Sequence, residues 1–345
     1  MTGNYSSVEH LSVVMTTKPV VDASGVTSSS SPGVFDFYFE YAVVVIGGVG
    51  TAANALILYA LVASQQHKKH VLIANQNALD LFSCLLLAIT YAVKLCRIQL
   101  SGRLGYWLCM LILDYNLLWC ITLGSIVNLP IITVERYVKV VHSTWSKKRL
   151  KKWMIYSAAA FSWIFGIVYS NVLTFSTSAL VDGFCYGQMF YVSRLAKIVN
   201  GIWNFMTCYV IVLSIFIFCY WRILVVIRRQ ASIMASHSAS AGSRNTQALS
   251  NQIQSNVIKT MILVSAFYAV TWAPICVYYL LVNLDAINLT LVESGFYSAQ
   301  LISFLYICTN PFIYATKFDP VKRVLVSLVP WKRTSVQPSE SIEIT

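Results

Sequence analysis

The sequence predicts an all-α membrane protein, a seven-transmembrane helix bundle with a short amphipathic helix after the seventh segment. Three observations carry this. The 345 residues are 57% hydrophobic and only 11% charged, against about 25% charged in a soluble domain. The apolar residues gather into seven windows, each near the roughly 20 residues a helix needs to cross a hydrocarbon core. The cations between those windows alternate, rich in one break and sparse in the next.

The windows run Phe37–Ala63, Val71–Lys94, Tyr106–Val141, Trp153–Thr174, Leu195–Ile227, Val257–Leu284 and Phe296–Ala315. They are continuous, whereas a membrane β-barrel would show alternating segments of about 10 residues. Counting breaks from the N-terminus, the even-numbered side carries 19 of the 25 Lys and Arg. The positive-inside rule therefore puts the N-terminus outside the cell and the C-terminus in the cytoplasm, as expected of a multi-pass plasma-membrane protein. The cluster Lys147, Lys148, Arg149, Lys151 and Lys152 is first of all part of that signal. The net charge of +12 does not indicate nucleic acid, because the cations sit in short breaks between apolar windows.

Residues 1–36 read as a disordered extracellular tail, polar and without the apolar core of a cleavable signal. Asn4-Tyr5-Ser6 is a glycosylation sequon there, and Asn288-Leu289-Thr290 is a second, in a short loop. Residues 37–329 form the helical domain, interrupted by a small, polar, flexible loop at about 229–256, and 330–345 form a cytoplasmic tail.

Motifs inside the windows resemble those of the rhodopsin-like (class A) G-protein-coupled receptors over nearly the whole span from about 37 to 329. The first window carries GTAANALIL with Asn54, and the second NALDLF with Asp80. The third ends in Glu135-Arg136-Tyr137, and the fourth holds Trp163. The sixth carries TWAP with Trp272 and Pro274, and the seventh NPFIY with Asn310, Pro311 and Tyr314. The order and the window of each motif match the family. The resemblance implies an extracellular ligand, activation of a heterotrimeric G protein and no enzyme activity. The five His all lie in termini or breaks, with no catalytic spacing around them.

It also implies roles. Glu135 would hold Arg136 when the receptor is inactive, and Tyr220 and Tyr314 would meet Arg136 when it is active. Trp272, above the Pro274 hinge, would sense what fills a central cavity. Relatives often add an acid at the foot of the sixth helix; Gln252–Asn256 has none, which implies a looser latch and raised basal activity. Asp80, a carboxylate within an apolar window, must meet polar partners. Asn54, Ser125 and Asn310 are the candidates. Two readings stand, a structural polar network and a sodium site at Asp80; Ile121 and Tyr306 occupy customary polar positions of that site. Cys109 and Cys185 match the family's loop-tethering disulfide. The interval from Cys109 to Arg136 is 27 residues, two more than the family's, so the third helix either starts with an irregular turn or has a shifted upper register. Val212 replaces the proline of the fifth helix, implying a straighter helix.

The amine-receptor carboxylate position falls on Leu118 or Asn116, depending on which landmark starts the count, with Asp114 further out. This disfavours an amine. Phe304 stands where retinal would need a lysine. A mouth of mixed charge and many tyrosines favours a peptide ligand, with a non-peptide small molecule as the alternative. A transporter or channel using Asp80 is the alternative of another class.

Overall fold

The computed structural model describes residues 20–21, 27–28, 34–181, 183–186, 191–236, 244–287, 293–317 and 319–328. Asn4, Asp182, Asn288 and the C-terminal tail lie outside them, as do the side chains of Asp36, Gln252–Asn256, Glu293 and Tyr314.

The first two windows form α1 (Val34–Ala63) and α2 (Val71–Leu95). The third is composite: α3 (Gly102–Leu108), a π-helical turn (Cys109–Leu113) and α4 (Asn116–Val141). A short α5 (Ser143–Arg149) carries three residues of the basic cluster in its last turn. The fourth window is α6 (Lys152–Thr177). A hairpin follows, β1 (Ala179–Val181) against β2 (Phe184–Tyr186), paired Leu180 to Cys185. The fifth window is α7 (Arg194–Phe205), a π turn (Met206–Val210) and α8 (Ile211–Ser236). The sixth and seventh are α9 (Arg244–Asn283) and α10 (Glu293–Lys317), followed by α11 (Asp319–Leu328).

Among the described residues, six helices are long and apolar enough to cross a membrane. The seventh, α10, packs against α9, α1 and α2. Side chains such as Ile217, Trp221 and Val270 stay exposed on the outside of the bundle, as expected where lipid is the solvent. The inside is closed by contacts that only small residues permit. A Cβ on Gly166 of α6 would lie 2.0 Å from the Cys120 carbonyl of α4, so these two helices touch through their backbones. In α11, Val321, Val324 and Leu325 turn inward at helical spacing against α1 and α10, making the short amphipathic helix expected from sequence.

Three expectations need correction. The loop read at 229–256 is shorter: α8 continues to Ser236 and α9 starts at Arg244, since the Ser-, Ala- and Gln-rich sequence flanking Gly242 contains no proline to stop a helix. The helical part likewise begins at Val34 rather than 37. The fifth helix is not a plain α-helix despite Val212, because a π turn sits just before that residue, with the Ile211 N–H bonded to the Met206 carbonyl. The Tyr268 hydroxyl of α9 donates to the Cys208 carbonyl inside that turn, so a cross-helix bond accompanies the irregularity that proline would otherwise cause.

Candidate ligand cavity and polar core

A disulfide joins Cys109 to Cys185, with their Cα atoms 5.4 Å apart, and ties β2 to the top of the third segment. The two extra residues of that segment are absorbed just beyond the cysteine. The Asp114 N–H reaches the Cys109 carbonyl at 2.9 Å across the π turn, and Tyr115 adopts a left-handed conformation at φ 59° before α4 begins. The irregular-turn reading therefore holds. The consequence is local. Asn116 faces α6, where its side chain bonds Ser170 and Asn171, and Leu118 is packed in the core. Asp114, Tyr115 and Trp119 instead line a cavity of about 180 Å³. Asp114, expected from sequence to lie further out than the amine-receptor position, is thereby placed in the cavity wall.

The cavity is walled by α4, α6, α7, α9 and α10, and its lining is mostly apolar and aromatic. Asn200 donates to the hydroxyls of Tyr191 and Tyr279, at 3.0 and 2.9 Å, linking the segment just before α7, α7 itself and α9. At the rim Asp285 accepts from Lys197 at 2.6 Å and from Arg194 at 2.9 Å, contacts that hold its carboxyl below the ordinary range. Arg97 pairs with Glu40 at 2.8 Å. Phe304 lines the cavity at the position where retinal would need a lysine.

Trp272 forms part of the cavity floor, and its indole N–H is buried without an acceptor among the described residues. Its ring meets Trp119 edge-on at 6.2 Å, stacks on Tyr268 at 5.8 Å and touches Tyr306 at 6.4 Å. An aromatic column thus runs from the cavity into the bundle, one helical turn above Asn310. Tyr306, a departure from the expected small polar side chain, is what completes it.

Below lies Asp80, fully buried. Its Oδ1 accepts from Ser125 Oγ at 2.6 Å and Gln76 Nε2 at 3.1 Å, and its Oδ2 from Asn310 Nδ2 at 2.8 Å. Ser125 and Asn310 are the partners expected from sequence. Asn54 is not: its amide donates to the Gly50 and Ile307 carbonyls, joining α1 to α10. Gln76 was missed, although a glutamine one helical turn before the buried carboxylate was a readable signal. Gln76 also accepts from Asn128 at 2.9 Å, and Asn128 leads through Asn75 to the Trp163 indole.

This geometry does not fit sodium. A hard cation needs a shell of oxygen ligands, and the Gln76 amide nitrogen already lies 3.1 Å from Asp80 Oδ1 and 2.5 Å from Ser125 Oγ. Those are the two oxygens that an ion would require, and Ile121 stands at a customary ligand position without a donor atom.

At the opposite end of the bundle Glu135 and Arg136 are both buried. Among the described residues they form no ion pair with each other within 4.0 Å. Glu135 instead pairs with Lys139 at 2.5 Å, one turn on, and Arg136 Nη2 meets His70 Nδ1 at 2.8 Å, from the start of α2. Adjacent helix residues point apart, whereas residues four apart share a face; this is why the expected latch is divided. Burial, then the Arg136 guanidinium, lower the His70 pKa to about 3, so the ring is a neutral acceptor. The Tyr220 hydroxyl lies at 3.1 Å from Thr133 and 2.9 Å from Ser265 rather than on Arg136. Pro274 and Pro311 lie within α9 and α10.

The family profile described as 7 transmembrane receptor (rhodopsin family) matches residues 53–314. Among curated proteins, the chain is similar to the galanin receptor type 1 of Mus musculus, 23% identical over 292 residues that cover 82% of this chain and 79% of the relative. The galanin receptor type 1 of Rattus norvegicus is similar to the same extent.

Proposed function

Because this chain belongs to the rhodopsin family of seven-transmembrane receptors, a family of receptors rather than enzymes, we propose that it is activated from outside the cell by a peptide and that it drives nucleotide exchange on a heterotrimeric G protein. In this reading the Cys109 end faces outward and the Arg136 end inward, consistent with the cation bias. The observation that carries the proposal is the continuous path beneath the cavity. Trp272 meets the ligand space, Tyr268 and Tyr306 pass its position inward, and Asn310 joins Asp80. A ligand that displaces Trp272 would shift α9 about Pro274, with α9 bound to α8 through Tyr220 and Ser265.

Inside, opening would release Arg136 from His70 toward the G protein. Arg136 meets the α2 terminus at His70 through a hydrogen bond to a neutral ring rather than an ion pair. Such a bond is worth about 1 kcal/mol in a membrane bundle, which favours measurable basal activity. For the ligand, the polar aromatic cavity and ion-paired rim support a peptide, and the similarity to galanin receptors points the same way.

The test is agonist-independent nucleotide exchange on several G-protein classes in nanodiscs, followed by a peptide screen that includes galanin. Exchange that rises on peptide addition is the expected result. Ion flux without nucleotide exchange would replace the receptor reading with a transporter or channel, and activation only by non-peptide molecules would replace the peptide.

A further inference from the structure

One ionisable group of the cavity has no place in the path from Trp272 to Arg136. Asp114 lies at the point where the π turn of Cys109–Leu113 gives way to α4, and only 3% of its surface is exposed. The next residue, Tyr115, is held at φ 59°, a left-handed conformation that is strained for a residue other than glycine. The surroundings enforce it: the Tyr115 hydroxyl accepts from Lys94 and donates to Tyr91, and its carbonyl accepts the Trp119 N–H. This strained corner turns the Asp114 carboxylate to the cavity wall, where a regular helix would have continued past it. Strain held this firmly beside a ligand space is an observation from which function is fairly inferred.

The carboxylate is underused. Its Oδ2 accepts from Ser178 Oγ at 2.9 Å, and the Thr174 hydroxyl lies alongside. Among the described residues no cation comes within 4.0 Å of it, since the nearby ones are engaged elsewhere. Lys94 lies over the Tyr115 ring at 4.0 Å, and Lys197 is paired with Asp285. Lys94 acts on the carboxylate only through space, and a buried carboxylate without a contact ion pair is expensive. Tyr115, Trp119 and Tyr279 present aromatic surface to the same cavity, and aromatic faces attract organic cations.

We infer that Asp114 is the anchor for a protonated amine or guanidinium of the activating ligand, in a peptide the amino terminus or a Lys or Arg side chain. The assignment of that cation to a peptide rests on the ligand reading proposed above; the cation subsite does not.

The experiment therefore uses small probes. Thermal unfolding of the purified receptor is followed with millimolar phenethylamine, phenethylguanidine and their neutral isostere 3-phenylpropanol, for the wild type and Asp114→Asn. Both cations should raise the wild-type Tm and the alcohol should not, with apparent affinity falling at least ~30-fold in the variant, as for one partner removed from a buried charge pair. Stabilisation by the alcohol equal to that by the cations would overturn the inference, even if the variant fails to fold. So would an unchanged response in a folded Asp114→Asn, or no response to either cation. If the cations bind as expected but no peptide bearing a basic group activates the receptor, the subsite stands and the peptide reading falls.

Discussion

Replacing Gln76 with Leu tests whether an amide does the work that an ion does elsewhere in the family. The side chain makes three described hydrogen bonds: to Asp80 at 3.1 Å, to Ser125 at 2.5 Å and from Asn128 at 2.9 Å. The bonds to Ser125 and from Asn128 cross between α2 and α4, and such interhelical bonds average about 0.6 kcal/mol with a maximum near 1.7; the one to Asp80 lies within α2, and because it meets a carboxylate it should sit near the top of the same range. Together the three amount to about 3 kcal/mol of lost stability, read as a fall of roughly 5 °C in Tm. The leucine would also leave Asp80 with two donors, Ser125 and Asn310, and remove the amide nitrogen from the space beside Oδ1 and Ser125 Oγ. Sodium can then enter, and at ten times its Kd it would restore about 1.4 kcal/mol. The assay is thermal unfolding of the purified receptor in NaCl and in choline chloride of equal ionic strength. The wild type should unfold at the same temperature in both salts, and Gln76→Leu should be partly rescued by sodium alone. A wild-type Tm that rises in sodium would refute the reasoning, because the ion would then be binding beside the amide. A variant indifferent to sodium would refute the claim that the amide takes the ion's place.

Other perturbations have equally specific outcomes. In Gly166→Ala the new methyl group would lie 2.0 Å from the Cys120 carbonyl, so α6 must move off α4; a loss of about 3 kcal/mol or more should appear as depleted surface expression, and normal expression would show that the backbones are not in contact. Arg136→Ala should abolish nucleotide exchange at matched surface levels, and retained coupling would remove the role proposed for Arg136. The acid stability of the receptor should carry the signature of His70, which takes up its proton near pH 6.5 when unfolded but only at about 3 when folded. Between those values the unfolded state holds the extra proton, so stability is full above about pH 6.5 and declines as the pH falls toward 3. His70→Asn should flatten that part of the profile in a urea-unfolding series, and an unchanged slope would place the titration elsewhere.

What could be read from the chain alone was whatever depends on one dimension. Window length and the uneven placement of cations follow from local composition, so the helical membrane class was legible without a neighbour in view. The motifs around Asp80, Arg136, Trp272 and Asn310 could be placed because each is a fixed offset within one helix. The bridge from Cys109 to Cys185 followed from the family pattern, and the structure contains it. The contacts across helices were not legible, because they depend on which donor faces which acceptor after packing. Arg136 could have met Glu135 by adjacency, yet the helix directs Glu135 to Lys139 and the α2 terminus brings His70 to Arg136. Asp80 required polar partners, but only packing decided that the Gln76 amide would fill the space suited to an ion. The two surplus residues between Cys109 and Arg136 left open an irregular turn or a shifted register; only the structure shows the π turn and the left-handed Tyr115 that bring Asp114 to the cavity. Sequence sets the type of each helix and the chemistry it carries, but the rotation of each helix about its axis is fixed only when close backbone contacts and buried polar groups are satisfied together.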